Sequence, residues 1–148
     1  MRRLDCHTRI KQVKDDYHVV YRALSTFVRI ATQQPHMLHD NDPPMEKITA
    51  LIDDLRNVYI VRMFARFESD LRHYWRTRVR DTKPKTEQLL SSIAGRFGVP
   101  QDTLDVVHGI RKFRNFLIHE EEEESERFTI DDASGSLNTY LARLPLEW

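Results

Sequence analysis

Gly109-Ile110-Arg111-Lys112-Phe113-Arg114-Asn115-Phe116-Leu117-Ile118-His119 decides how this chain is read. Ile110, Phe113 and Leu117 recur at spacings of three and four, with Val106 one turn earlier. That is one face of an amphipathic helix, predicted over Asp102 to about Glu121. Its polar end carries Arg114, Asn115 and His119, and an acidic run follows at once.

Working outward, Gly98 and Pro100 separate this helix from a shorter one, Thr86 to about Phe97, with Leu89, Leu90, Ile93 and Phe97 as its stripe. Upstream, no proline or glycine interrupts the chain between Met45 and Pro84. Ile48, Leu51, Ile52, Leu55, Val58, Tyr59, Met63, Phe67, Leu71, Tyr74 and Trp75 keep the helical period there. Such a helix spans roughly 50 Å, long enough to project beyond a small domain or to kink. Its weak point is Val58-Tyr59-Ile60-Val61, where a strand competes, but the intact period on both sides favours helix with room for a bend. Before it, Gln33 to Pro44 has the composition of a loop. The first segment, about Leu4 to Gln34, places Ile10, Val13, Tyr17, Val20, Leu24, Val28 and Ala31 on one face. Downstream, Phe128-Thr129-Ile130 reads as extended. Asp131 reads as the cap of a last helix, Asp132 to Arg143, closed by Pro145. The expected fold is all-α, one domain over residues 1–148, an up-and-down bundle of about five helices.

Composition agrees. The 148 residues include only four glycines, too few for an all-β chain full of tight turns. One cysteine, Cys6, excludes an internal disulfide framework. No apolar run reaches transmembrane length and the first residues lack an apolar signal core, so a cytoplasmic protein with no membrane contact is expected. Formal net charge is zero, yet residues 1–80 carry 15 Lys/Arg against 10 Asp/Glu and residues 81–148 carry 8 against 13. A basic front half suits nucleic acid or self-association. Overall neutrality argues against a dedicated high-affinity nucleic-acid binder.

The chemistry sits at 114–119. Asn115 and His119 are four apart and share a polar face with His108 and Lys112. Arg114 lies roughly 140° from His119 and borders the apolar stripe. One helix therefore cannot easily aim both groups at one phosphate, whereas two copies related by a two-fold axis can line a shared cleft. RNA supplies its own 2′-hydroxyl nucleophile. Its cleavage needs a base, an acid for the leaving 5′-oxygen, and positive charge on the phosphate. Histidine can be base or acid, arginine forks onto phosphate oxygens, and Asn115 can orient His119. Nothing in this scheme calls for a metal or other cofactor. Arginine-to-histidine spacings of five to seven recur cheaply here, at Arg2/His7, Arg29/His36 and Arg66/His73. Asn115 and the helix end distinguish the pair at 114 and 119.

This stretch resembles the Arg-polar-x-x-x-His motif of the HEPN superfamily, the higher eukaryotes and prokaryotes nucleotide-binding domains. Phe64-Ala65-Arg66-Phe67-Glu68-Ser69-Asp70-Leu71 is similar to the pattern in the long second helix of many prokaryotic members. The resemblance covers residues 10–145 as a helix pattern, and specific residues only at 64–71 and 114–119. It implies a helical bundle, usually a homodimer. It also implies a metal-independent endoribonuclease leaving a 2′,3′-cyclic phosphate, of the kind found in toxin–antitoxin and antiphage systems, with an antitoxin or regulatory protein as a further partner. By that resemblance Arg114, Asn115 and His119 are the catalytic set. The competing expectation is a non-catalytic helical interaction module, or an accessory subunit of a nucleotidyltransferase.

Other residues are candidates in support. Arg72, Arg76, Arg78, Arg80, Lys83 and Lys85 cluster around Tyr74 and Trp75. Arg72, Arg76 and Arg80, with Lys112, are expected to bind RNA, the aromatic ring taking a base. The bland alternative is a solvated helix end. Glu68 is expected to pair with an arginine such as Arg114, and His108 to lend support from the same polar face. The run Glu120–Glu124 with Glu126 should repel phosphate and raise the pKa of His119. It reads either as a solvated helix end or as a gate or docking site for a basic partner. His36, His39, Asp40 and Asp42 have metal-ligand types but no rigid frame, and a polar loop is expected. Cys6 is set aside as a nucleophile because it stands in a frayed terminus. No Gly-rich phosphate loop, Ser-centred elbow or zinc spacing occurs.

Overall fold

Prolines and glycines set most of the element boundaries. The computed structural model describes residues 1–119 and 127–148, with His119 described in its backbone only. Five helices follow in order: α1 (Arg3–Gln33), α2 (Met45–Arg78), α3 (Thr86–Phe97), α4 (Gln101–His119) and α5 (Ile130–Leu141), with one 3₁₀ turn at Pro35–Met37. Pro44 is the N-cap of α2. Gly98 ends α3 in the left-handed region at φ 60°, where a residue without a Cβ is unstrained. The protein is an all-α helical bundle. Among the described residues the only β pairing is an isolated antiparallel bridge between Arg2 and Glu147.

α1 and α2 form an antiparallel hairpin, as the pairs Arg9–Asp70 and Arg62–Asp16 register. α5 packs on α1, α2 and α4, and α3 on α4 and α2. All of this packing falls at the end of the hairpin holding the start of α1 and the close of α2. There Ile10, Phe64, Phe67, Ile93, Ile110 and Tyr140 are fully buried. Tyr140 meets the Phe67 ring edge-on at 5.3 Å and donates its hydroxyl to the Leu90 carbonyl at 2.7 Å. A buried phenol is thus satisfied rather than left as a cost. At the other end Ala31 and Ile48 are the only buried apolar residues of the described hairpin beyond Ile60, and Val19, Leu51 and Val58 stand exposed.

Residues 57–61 continue α2, as the intact period on both sides predicts: the helical turn sends Ile60 into the core and Val58 to solvent, so the β-branched run serves two faces. Three other expectations are corrected. Val106 is not a core residue of α4; at 37% exposure it yields to Leu104 and Val107 on the buried face. Asp131 does not cap α5. The Thr129 hydroxyl accepts the Asp132 N–H at 3.1 Å, so the helix begins at Ile130, two residues early. Nor is Cys6 frayed. The Arg3 guanidinium donates to the Ala142 and Leu144 carbonyls at 2.7 and 2.8 Å, and the Trp148 N–H donates to the Met1 carbonyl at 2.9 Å. Cys6 is fully buried in the pinned first turns. Burial, then the nearby Asp70 carboxylate, pushes its thiol up to about 12, so it is no nucleophile.

Candidate functional site

Glu68 is the centre of the site. α2 presents Glu68 and Arg72 four residues apart on one face, the spacing that lets such a pair meet. Arg72 donates Nε and Nη2 to Glu68 Oε1 at 3.0 and 2.7 Å. Its other contacts are the Pro84 carbonyl at 3.0 Å and the Thr86 hydroxyl at 3.1 Å. Thr86, the first residue of α3, in turn donates to Glu68 Oε1 at 2.7 Å. From α4, Arg114 donates Nη2 to the remaining oxygen, Glu68 Oε2, at 2.7 Å. The Arg114 guanidinium carbon lies 5.2 Å from the centroid of the Phe64 ring, one helical turn before Glu68.

The side chains of Glu68 and Arg114 are only 16% and 19% exposed, so both ions sit in a low-dielectric seam between α2 and α4. Burial by itself would raise the Glu68 pKa. Hydrogen bonds from Thr86 and Arg72 and the charges of Arg72 and Arg114 outweigh it and hold the carboxyl below its ordinary value. Two guanidinium groups face one carboxylate, so the seam carries a surplus positive charge. Among the described residues no second acceptor takes the other donors of Arg114. An anion at the edge of the seam would find them oriented in advance.

Beside this seam lies an open cleft of about 530 Å³. Its lining includes Glu68, Arg72, Trp75, Arg76, Thr82 and Lys83. The connection between α2 and α3 forms one wall, and Trp75 Nε1 donates to the Thr82 hydroxyl across it at 3.0 Å.

The residues expected to act together are thus partly reunited. Glu68 and Arg114 pair as expected, and Arg76 lines the neighbouring cleft. Arg72, expected to hold RNA, also lines that cleft and ties α2 to the start of α3. Arg80 is exposed and stands outside the cleft lining, and Lys112 is exposed on α4. Asn115 is half-buried and makes no side-chain hydrogen bond among the described residues. His108 is not brought to Arg114. It faces α3, 3.3 Å from the Ser91 hydroxyl, and burial, then the charge of Arg111, lowers its pKa. His119 is the last described residue of α4, and its side chain and the acidic run 120–126 lie outside the described residues.

Two participants escape the sequence pattern. Thr86 reads only as the start of a helix; nothing local says that it meets Glu68. Asp70 is 1% exposed and accepts from Arg9 at 2.7 Å. Its signal was present, since Asp70 falls at helical spacing between Phe67 and Tyr74 on the core stripe. In the loop after α1 the Asp42 carboxylate accepts the His39 N–H at 2.8 Å, a capped turn. No group of three or more His, Cys, Asp or Glu among the described residues is placed to hold a metal ion. Likewise no helix among them is long and apolar enough to cross a membrane.

Compared with known proteins, the chain matches no family model, no curated protein and no solved structure.

Proposed function

We propose that the protein is a metal-independent endoribonuclease of the HEPN type, acting from the cytoplasm as a toxin or antiphage effector. In this reading Arg114 neutralises the pentacovalent phosphate and His119 is the general acid or base. Asn115 orients the imidazole. The 2′-hydroxyl attacks its own phosphorus, the 5′-oxygen leaves with a proton, and a 2′,3′-cyclic phosphate remains. The observation that carries the reading is Arg114 itself. It stands five residues before His119 on α4, held by Glu68, with no second acceptor on its other donors among the described residues.

Arg114 faces α2, whereas His119 falls roughly 140° further round α4. A homodimer with the two α4 helices meeting at a two-fold axis solves this, with arginine from one protomer working beside histidine from its partner. The test is degradation of RNA in EDTA by wild type and by His119→Ala. Wild type should cleave and the variant should not; equal residual activity in both removes the assignment.

One observation favours a second reading, a non-catalytic interaction module. Val19, Leu51 and Val58 leave apolar surface uncovered on the hairpin. Expression of the wild type without growth arrest would support that reading. Growth arrest abolished by Arg114→Ala would defeat it.

A further inference from the structure

The cleft beside Glu68 is open, and its lining is chemically mixed. A volume of about 530 Å³ falls in the range of small-molecule sites. Ala65, Ser69 and Leu89 are also in its lining, and Trp75, half-buried, supplies an indole fixed by the Thr82 hydroxyl. Arg76 and Lys83 are exposed at its rim and have no carboxylate partner among the described residues. The one acid in the lining, Glu68, is already shared by Arg72, Arg114 and Thr86. The cleft is therefore cationic, and its cations are of two kinds. Arg72 is immobilised at the back by three acceptors, while Arg76 and Lys83 are left to solvent.

We infer that this cleft binds one nucleotide of single-stranded RNA, the base against Trp75 and its phosphate between Arg76 and Lys83. An indole beside uncommitted cations matches a planar, anionic ligand. Stacking accepts any base, and the phosphate contacts are electrostatic. An acidic peptide would use the cations and leave the indole idle. The inference rests on the nuclease reading in one respect: the bound nucleotide is the neighbour of the one cleaved. Glu68 joins the two places, with Arg72 on one oxygen and Arg114 on the other. A strand seated in the cleft is thereby led toward Arg114.

The experiment is fluorescence anisotropy with a labelled 2′-O-methyl oligonucleotide, which lacks the nucleophile and cannot be cleaved. Wild type should bind it. Arg76→Glu with Lys83→Glu, both exposed positions, should weaken binding by at least about tenfold and flatten its salt dependence. Trp75→Ala should weaken it by about tenfold and Trp75→Phe, which keeps a ring, by less. Melting curves for each variant show that it folds. Undiminished binding by the folded double charge reversal overturns the inference, as does equal affinity for an oligoglutamate of the same length. Binding by wild type that fails to cleave unmodified RNA keeps the cleft and removes the catalysis. Cleavage that survives the double charge reversal keeps the catalysis and removes the cleft.

Discussion

The two ends of the α1–α2 hairpin are built from similar amphipathic sequence and put to different use. At the end where α3, α4 and α5 gather, each apolar stripe has a partner. Ile10, Phe64 and Phe67 are wholly buried and Glu68 pairs with Arg114 between α2 and α4. At the far end the helices have only each other. There Ile52, Leu55 and Tyr59 are only half-buried, while Leu51 and Val58, turned away from the Ile60 face, remain 54% and 53% exposed. The contrast teaches that a helical period announces a helix, not a buried face. What buries a face is the arrival of a third element, and α3–α5 are too short to cover a hairpin of this length. Stability is concentrated at the bundle end, together with the charged site that depends on it.

The difference can be broken or sharpened by mutation. The largest effect is expected from Phe67→Ala, which should cost about 3–5 kcal/mol in chemical denaturation, against less than about 1 kcal/mol for Val58→Ala. Comparable losses at the two positions would erase the distinction. Glu68→Gln comes next. It strands two guanidinium groups in a mostly buried seam and should cost about 2–3 kcal/mol. It should also change the acid limb of the stability curve. The Glu68 pKa is held below its ordinary value of 4.5, so its stabilisation is complete above that value. The stabilisation fades as pH falls through the lower folded pKa. Denaturation followed from pH 6 to pH 3 should therefore show a shallower decline in Glu68→Gln than in wild type. Parallel declines would mean that the seam does not lower the Glu68 pKa below its unfolded value. The smallest effect is kinetic. With its thiol pushed up to about 12 and fully buried, Cys6 should label with a thiol reagent at pH 8 only as fast as the bundle opens. Immediate labelling of the native protein would show that the first turns of α1 are not pinned.

The legible parts of the fold were those with punctuation. α3 runs from Thr86 to Phe97 as expected because Pro84 and Gly98 bracket it, and α2 is uninterrupted because no breaker falls inside it. Where punctuation is weak the reading slipped by a residue or two, since Thr129 is as good a cap as Asp131 and Val107 is as apolar as Val106. The pairing of Glu68 with Arg114 was legible because a carboxylate beside an apolar stripe needs a partner. The role of Arg72 as a staple was not. It depends on Thr86 and the Pro84 carbonyl, which reach Glu68 and Arg72 only once the connection between α2 and α3 has folded back. Asp70 was legible in principle from its place on the core stripe, but its partner, Arg9, lies 61 residues away.

The claim beneath the functional account is that Arg114 of one protomer and His119 of its partner work in one cleft. Mixing Arg114→Ala with His119→Ala tests it most directly, because a mixed dimer keeps one intact arginine–histidine pair across the two-fold axis. The account predicts two inactive preparations that regain RNA cleavage when combined and allowed to exchange subunits. An active wild type whose two variants stay inactive in the mixture would contradict it.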